Sequence, residues 1–274
     1  MGSARSPFVF PPVTGFDFEH IAAPFRMQPG LRRLAPGAAQ FTPLQAGSAL
    51  WREKQAVLAA GQSRHAVAGF DPEPVLDAIA QHAAWDRSVP LELAFEEDLA
   101  VLDGADGTLP WLCVCVPSRW APEEKVGLPF AAVHAPVADN TALLAASSQL
   151  VRLATGAERY ERFVWTVTPS PRYDQHPMRH SREPWPAADD VPAFAAGCFL
   201  RSERQTFLPV GRGTRQAVFT IRVMLQPLAD AVDSQAKAQR LRDALGSMTD
   251  AVLAYKGLAA AREPLLRWLS ERSA

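Results

Sequence analysis

The chain has 274 residues, of which 48% are hydrophobic and 21% charged, values typical of a globular protein with a sizeable core. Its formal net charge of −1 at pH 7 gives no electrostatic reason to expect nucleic acid or an anionic membrane as a partner. No apolar run approaches the length that spans a bilayer, and the N-terminus lacks the apolar core of a secretion signal. Three cysteines do not make a disulfide framework, so we expect a reduced, cytoplasmic protein.

The N-terminal part divides into an arm and the start of a single larger domain. Residues 1–45 are rich in Pro, Gly and Phe without a sustained period, which predicts an extended arm, and residues 46–274 are expected to form one domain. A helix is predicted over 47–60, with Ser48 as its N-cap. A second is predicted over 71–85, where proline and acidic residues occupy the first turn.

Two segments that follow suggest a β-hairpin. Residues 91–103 lead into a Gly-Ala-Asp-Gly turn, and residues 109–117 are strand-like. We expect the acidic trio Glu96–Asp98 to be a solvated turn, with a site for a metal or a cationic substrate as the alternative. Cys113 and Cys115 would share one strand face. Because a zinc pair would need two further ligands at a plausible spacing, we expect two buried small hydrophobic side chains.

One histidine stands between two prolines in the segment that follows the hairpin. Pro129 favours the first turn of a helix, and Pro136 disfavours helical backbone at Ala135. One or two helical turns with His134 on the last are therefore predicted. From spacing alone, His134 fits either a connector residue or an imidazole held in a fixed direction as a metal ligand.

The second half of the sequence predicts an antiparallel sheet that is preceded and followed by helices. A helix over 141–155 is followed by strands over 160–168, 197–208 and 216–225, the last two joined by a Gly-Arg-Gly-Thr-Arg turn. Helices over 236–253 and 260–271 are expected to form an antiparallel C-terminal pair (about 236–271) against the sheet. Consecutive antiparallel strands after helices indicate the α+β class.

The second of these strand regions, 197–208, carries an unusually polar stretch. Alternation places Arg201, Glu203 and Gln205 on one face and Ser202, Arg204 and Thr206 on the other. A solvated face is one interpretation. If the face is buried, each charge needs a partner: Glu203 would bind an ammonium or hydrogen-bond a reacting group, and Arg201 or Arg204 would pair with a carboxylate, including one on a cofactor.

Seven short strings along the chain resemble, in order and separation, the haem-dependent oxidative N-demethylase family. The resemblance runs from about residue 25 to the C-terminus, and the strings are FRMQPGL (25–31), EDL (97–99), PSRW (117–120), KVG (125–127), VHAPV (133–137), ERQT (203–206) and YKG (255–257).

This resemblance implies a PAS-like antiparallel sheet with short helices enclosing a haem, flanked by N- and C-terminal helices. Members use haem b, O₂ and external electrons to oxidise a small methylated amine, such as dimethylamine, and release formaldehyde. By the resemblance, His134 is the proximal iron ligand and Glu203 binds the substrate ammonium. Arg162 and Arg204 would contact haem propionates or polarise O₂, and Trp165 would line the cofactor site.

Two departures from the family pattern bear on the substrate more than on the haem. Val164 precedes Trp165 where the family usually has asparagine, and Phe207–Arg212 replaces an Arg-Leu-Pro, with Arg212 or Arg215 as possible substitutes. The sequence has no Gly-x-Gly-x-x-Gly fingerprint and no four-cysteine cluster. A separate reductase with a flavin or iron–sulphur centre is therefore expected. The alternatives are a PAS-like haem sensor of gas or redox state and a haem-free relative.

Overall fold

A computed structural model describes residues 16–211 and 213–273. Within them, seven strands form one open, wholly antiparallel sheet in the order β1–β5–β6–β7–β3–β4–β2. The strands are β1 Arg32–Arg33, β2 Arg64–Ala66, β3 Glu97–Asp103, β4 Trp111–Cys113, β5 Tyr160–Thr168, β6 Phe199–Pro209 and β7 Gln216–Pro227. The α+β class and the antiparallel sheet are confirmed.

Helices cover both faces of this sheet. Those in the described residues are α1 Ala49–Ala59, α2 Glu73–Ala83, α3 Leu91–Ala94, α4 Phe130–His134, α5 Thr141–Ala145, α6 Ser147–Ala154, α7 Val191–Ala196, α8 Leu228–Ala231, α9 Gln235–Gly246, α10 Asp250–Lys256 and α11 Arg262–Ser273. None of them combines the length and apolar character that crossing a membrane requires.

The sequence predicted the start of α1 correctly, but two longer predicted helices are each divided in two. Ser48 caps α1 by accepting a hydrogen bond from the Trp51 N–H at 3.1 Å, as predicted. The predicted helix over 236–253 is instead two helices, because Thr249 caps a new helix through the Val252 N–H. Similarly, the helix expected over 141–155 is divided into α5 and α6 at Ala146.

The register of the three longest strands defines what each face carries. Residues directly opposite in an antiparallel pair share a face. Arg162 is opposite Gln205, Val164 is opposite Glu203, and Thr166 is opposite Arg201. We call the surface that carries these residues the site face. The polar strand is interior to the sheet, between β5 and β7.

Different helices pack on the two faces. Against the site face, α6 contributes Val151 and Ala154 to a cluster with Phe207, and Phe130 of α4 packs against this cluster. On the opposite face, Trp165 and Val167 pack with Leu241 and Leu265 of the C-terminal helices, where α9 and α11 contact each other as predicted.

Two predictions about the first hairpin are wrong. The acidic trio is not a solvated turn, because Glu97 and Asp98 lie in β3 and are only 3% and 2% exposed. The cysteines do not share a strand face, because β4 ends at Cys113. Cys113 and Cys115 are nevertheless buried, in separate apolar clusters, and burial raises the pKa of both thiols.

Candidate functional site

His134 is the last residue of α4, the short helix that begins after Pro129. Its Nδ1 lies 2.8 Å from the Phe130 carbonyl oxygen, and its ring lies 4.1 Å from the Phe130 ring. The helix ends at His134 as predicted, although Ala135 keeps helical dihedral angles before Pro136. Asn140 donates its side-chain amide to the His134 and Ala135 carbonyls, which ties the end of the helix to the following turn.

These contacts determine which imidazole nitrogen is available. A carbonyl oxygen only accepts hydrogen bonds, so Nδ1 carries the proton and the neutral ring keeps its lone pair on Nε2. Burial lowers the pKa of His134, the Phe130 hydrogen bond opposes this, and the charge of Arg162 lowers the pKa further. The imidazole is therefore held neutral and oriented, as a metal-ligating histidine requires.

Arg162 lies on the site face, close enough to His134 to affect its titration. Its Nε is buried and has no hydrogen-bond partner among the residues that the structure describes. Burial lowers the pKa of the guanidinium, while Glu203 and then Tyr255 raise it. Because a buried donor without an acceptor is unfavourable, this Nε suits an acceptor such as an anionic group supplied by a ligand or cofactor.

Glu203 occupies the neighbouring strand of the same face, opposite Val164. Its Oε1 accepts the Ser118 hydroxyl, and its Oε2 accepts the Gln205 amide at 2.7 Å. The structure thus brings His134, Arg162 and Glu203 to one face of the sheet, from three segments separated along the chain.

Two other predicted site residues lie on the opposite face. Arg204 donates its Nε–H to Glu161 at 2.9 Å and its Nη1–H to the Ala39 carbonyl at 2.8 Å. Trp165 is buried in the apolar cluster beneath the C-terminal helices. The sheet separates both side chains from His134, so the structure does not bring them together with it.

Tyr255 and Lys256, at the end of α10, were not given roles from the sequence, although their motif was noted. Lys256 donates to the Trp165 carbonyl at 2.8 Å at the edge of β5. Burial lowers its pKa to about 8, with Glu203 opposing and Arg162 adding to the shift. Burial raises the pKa of Tyr255, and Glu203 raises it further. Both residues therefore lie in the electrostatic field of the site face, a relation that no local sequence signal reveals.

The fold and site define an α+β protein with a neutral, oriented histidine, an arginine whose buried Nε has no partner in the described residues, and a hydrogen-bonded carboxylate. A family model described as haem-dependent oxidative N-demethylase, alpha subunit-like, matches residues 80–266. The chain belongs to this family. The matched region contains His134, Arg162, Glu203 and the Tyr255–Gly257 string, and the alpha-subunit description implies further subunits.

The residues of the site face fit a haem. A single neutral imidazole is a common axial ligand of haem iron, and haem propionates are anions that would satisfy the buried Nε of Arg162. Within the described residues, no group of three or more His, Cys, Asp or Glu side chains could hold a metal ion. Haem needs no such group, because the porphyrin supplies four of the iron ligands.

Proposed function

We propose that this protein is the haem subunit of an oxidative N-demethylase that acts on a small methylated amine such as dimethylamine. The sheet with its short helices would be a PAS-like fold enclosing haem b, and the Nε2 of His134 would hold the iron. The supporting observation is the Nδ1 contact to the Phe130 carbonyl, because it leaves Nε2 unprotonated beside Arg162.

In this proposal the haem supplies O₂ activation, with electrons from a separate reductase subunit or protein. Arg162 binds an anionic group of the cofactor. Glu203 accepts an N–H of the substrate ammonium, which holds the N-methyl group in a fixed direction for oxidation and release as formaldehyde. The proposal gives Arg204 and Trp165 no contact with substrate, because they lie on the opposite face; Arg204 stabilises the pairing of β5 and β6 through Glu161.

The haem ligand is tested by absorption spectroscopy of the purified protein and of His134→Ala. We expect a Soret band in the parent and loss or alteration of that band in the variant. His65→Ala is a matched control, since His65 is also hydrogen-bonded to a main-chain carbonyl, at 3.2 Å from Gln62, but lies on the edge strand β2. An unchanged spectrum in His134→Ala would show that another residue ligates the iron.

The reaction is tested by formaldehyde release from methylamines with a chemical or enzymatic reductant. Glu203→Gln removes a charge-assisted hydrogen bond of about 1.5–3 kcal/mol, so the KM for amine should rise about tenfold or more with haem content unchanged. Haem binding without formaldehyde from any methylated amine would contradict the enzyme assignment and favour a haem sensor.

A further inference from the structure

A relay of hydrogen bonds joins Glu203 to a deeply buried arginine. Arg201, on the same strand, is 2% exposed and donates its Nε–H to the Ser118 hydroxyl oxygen at 2.8 Å. Ser118 in turn contacts Oε1 of Glu203, and Gln205 contacts Oε2. The relay links β6 to the segment that follows β4.

The direction of each hydrogen bond follows from the chemistry of the donors. A guanidinium has no acceptor, so Ser118 must accept from Arg201 and its own proton is then available for Glu203. The Gln205 amide nitrogen is likewise a donor. Glu203 therefore accepts a hydrogen bond from each of these two neighbours.

The relay leaves part of the carboxylate unused. An ionised carboxylate offers about four lone-pair positions, and Ser118 and Gln205 occupy one on each oxygen. Within the described residues, no further protein hydrogen bond occupies the remaining positions. Each oxygen of the carboxylate has one protein contact.

Arg201 holds Ser118 in place through further contacts of its own. Its other donors bond the carbonyl oxygens of Val116, Arg172 and Tyr173 at 3.1, 3.3 and 2.9 Å. These contacts tie residues 116–118 and 172–173 to β6, and every donor nitrogen of the guanidinium has a partner. Arg201 is thus fully engaged within the protein, in contrast to Arg162.

We infer that Ser118, held by Arg201, and Gln205 are positioning residues that orient the Glu203 carboxylate for a cationic amine. This inference rests on the proposed role of Glu203 and adds how that role is prepared before substrate arrives. The two residues act through Glu203 and do not contact the substrate.

The test measures the Kd of dimethylammonium chloride for the haem-loaded protein by calorimetry, alongside KM and kcat. Ser118→Ala is expected to raise Kd and KM about fivefold to tenfold, as for loss of one hydrogen bond to a charged group, with haem content unchanged. Ser118→Thr retains the hydroxyl and should restore affinity. Ser63→Ala is the matched control, because Ser63 donates to Glu92 at 2.8 Å outside the site face.

Variants of Glu203 distinguish the positioning role of Ser118 from the proposed substrate-binding role of Glu203. In a Glu203→Gln background, Ser118→Ala should have little further effect on Kd, because Ser118 acts through the carboxylate. If Glu203→Gln weakens binding but Ser118→Ala behaves like Ser63→Ala, the positioning inference is wrong and the proposed role of Glu203 stands. A normal Kd in Glu203→Gln would overturn both. Gln205→Leu supplies the same comparison if Ser118→Ala does not fold.

Discussion

Lys54 is a fully buried lysine that contacts two groups of β3 and one group just before it. Its Nζ donates to the Phe95 and Glu97 carbonyls at 3.1 and 2.8 Å and lies 3.1 Å from Oδ1 of Asp98. Burial has the largest single effect on the pKa of Lys54 and lowers it, but Asp98, Cys115 and Cys113 together raise it, so the net shift is upward. At the residue scale, this ion pair compensates the charge of Asp98 inside the sheet.

Glu97 lies next to Asp98, and its charge is less well compensated than that of Asp98. Burial raises its pKa to about 7 from 4.5, against the hydrogen bond from the Thr42 N–H and the charge of Lys54. Between these two pH values the folded state keeps a proton that the unfolded state releases. The free energy of unfolding should therefore fall as pH rises through this window, by up to about 1.4 kcal/mol per pH unit.

Urea unfolding at about pH 5 and about pH 8 measures this dependence. Glu97→Gln should lose the part of the slope that lies between pH 4.5 and about 7, because no titrating group remains at that position. Glu271→Gln, at an exposed position of α11, serves as the control and should keep the parent slope. A slope that is identical in Glu97→Gln and the parent would assign the titration to another group.

At the scale of single elements, the C-terminal end of α10 depends on one glycine, Gly257. Gly257 follows the helix with a φ of +69°, the left-handed conformation that favours glycine. The next N–H, of Leu258, bonds the Leu253 carbonyl at 2.7 Å. A Cβ at Gly257 would also meet the guanidinium of Arg182, but this is the end of a flexible, exposed side chain that can move aside, so the backbone conformation is the main restriction.

Gly257→Ala should lower the free energy of unfolding by about 1–2 kcal/mol, because an L-residue is strained in the left-handed region. Gly246→Ala is the matched control at the end of the preceding helix, where a Cβ meets no atom within 4 Å. That variant should be neutral or stabilising by up to about 1 kcal/mol. Equal effects in thermal or urea unfolding would contradict the assigned backbone conformation.

At the scale of the whole molecule, the segment before β1 belongs to the apolar core beneath the C-terminal helices. Ile21 has no exposed surface and lies in one cluster with Leu241 and Leu265. Phe18 and Phe25 pack against the same cluster. The beginning and end of the described chain therefore share a core. The division at residue 45 between arm and domain stays a prediction.

Ile21→Ala should lower the free energy of unfolding by about 2–5 kcal/mol, since it leaves a cavity in a closely packed cluster. Val67→Ala, at a side chain that is 37% exposed, should cost at most about 0.5–1 kcal/mol. Urea unfolding compares the two. Similar small losses would mean that the N-terminal segment packs on the core without stabilising it.

Periodicity and capping chemistry made much of this fold predictable, because they act between near neighbours. The alternation in β6 correctly placed Glu203 and Gln205 on one face and Arg204 on the other. The hydroxyl of Ser48 marked the start of α1. The ordered motifs identified the family and singled out His134 and Glu203.

What only the tertiary structure decided is which distant group meets each of these side chains. The acids of β3 look like a solvated turn until Lys54, more than 40 residues earlier in the sequence, is placed beneath them. Arg204 is paired with Glu161 across the strands, and Glu203 with Ser118 from another segment. Sequence periodicity determines the face on which a side chain lies. The partner depends on strand register and helix packing, which arise from contacts between residues far apart in the chain.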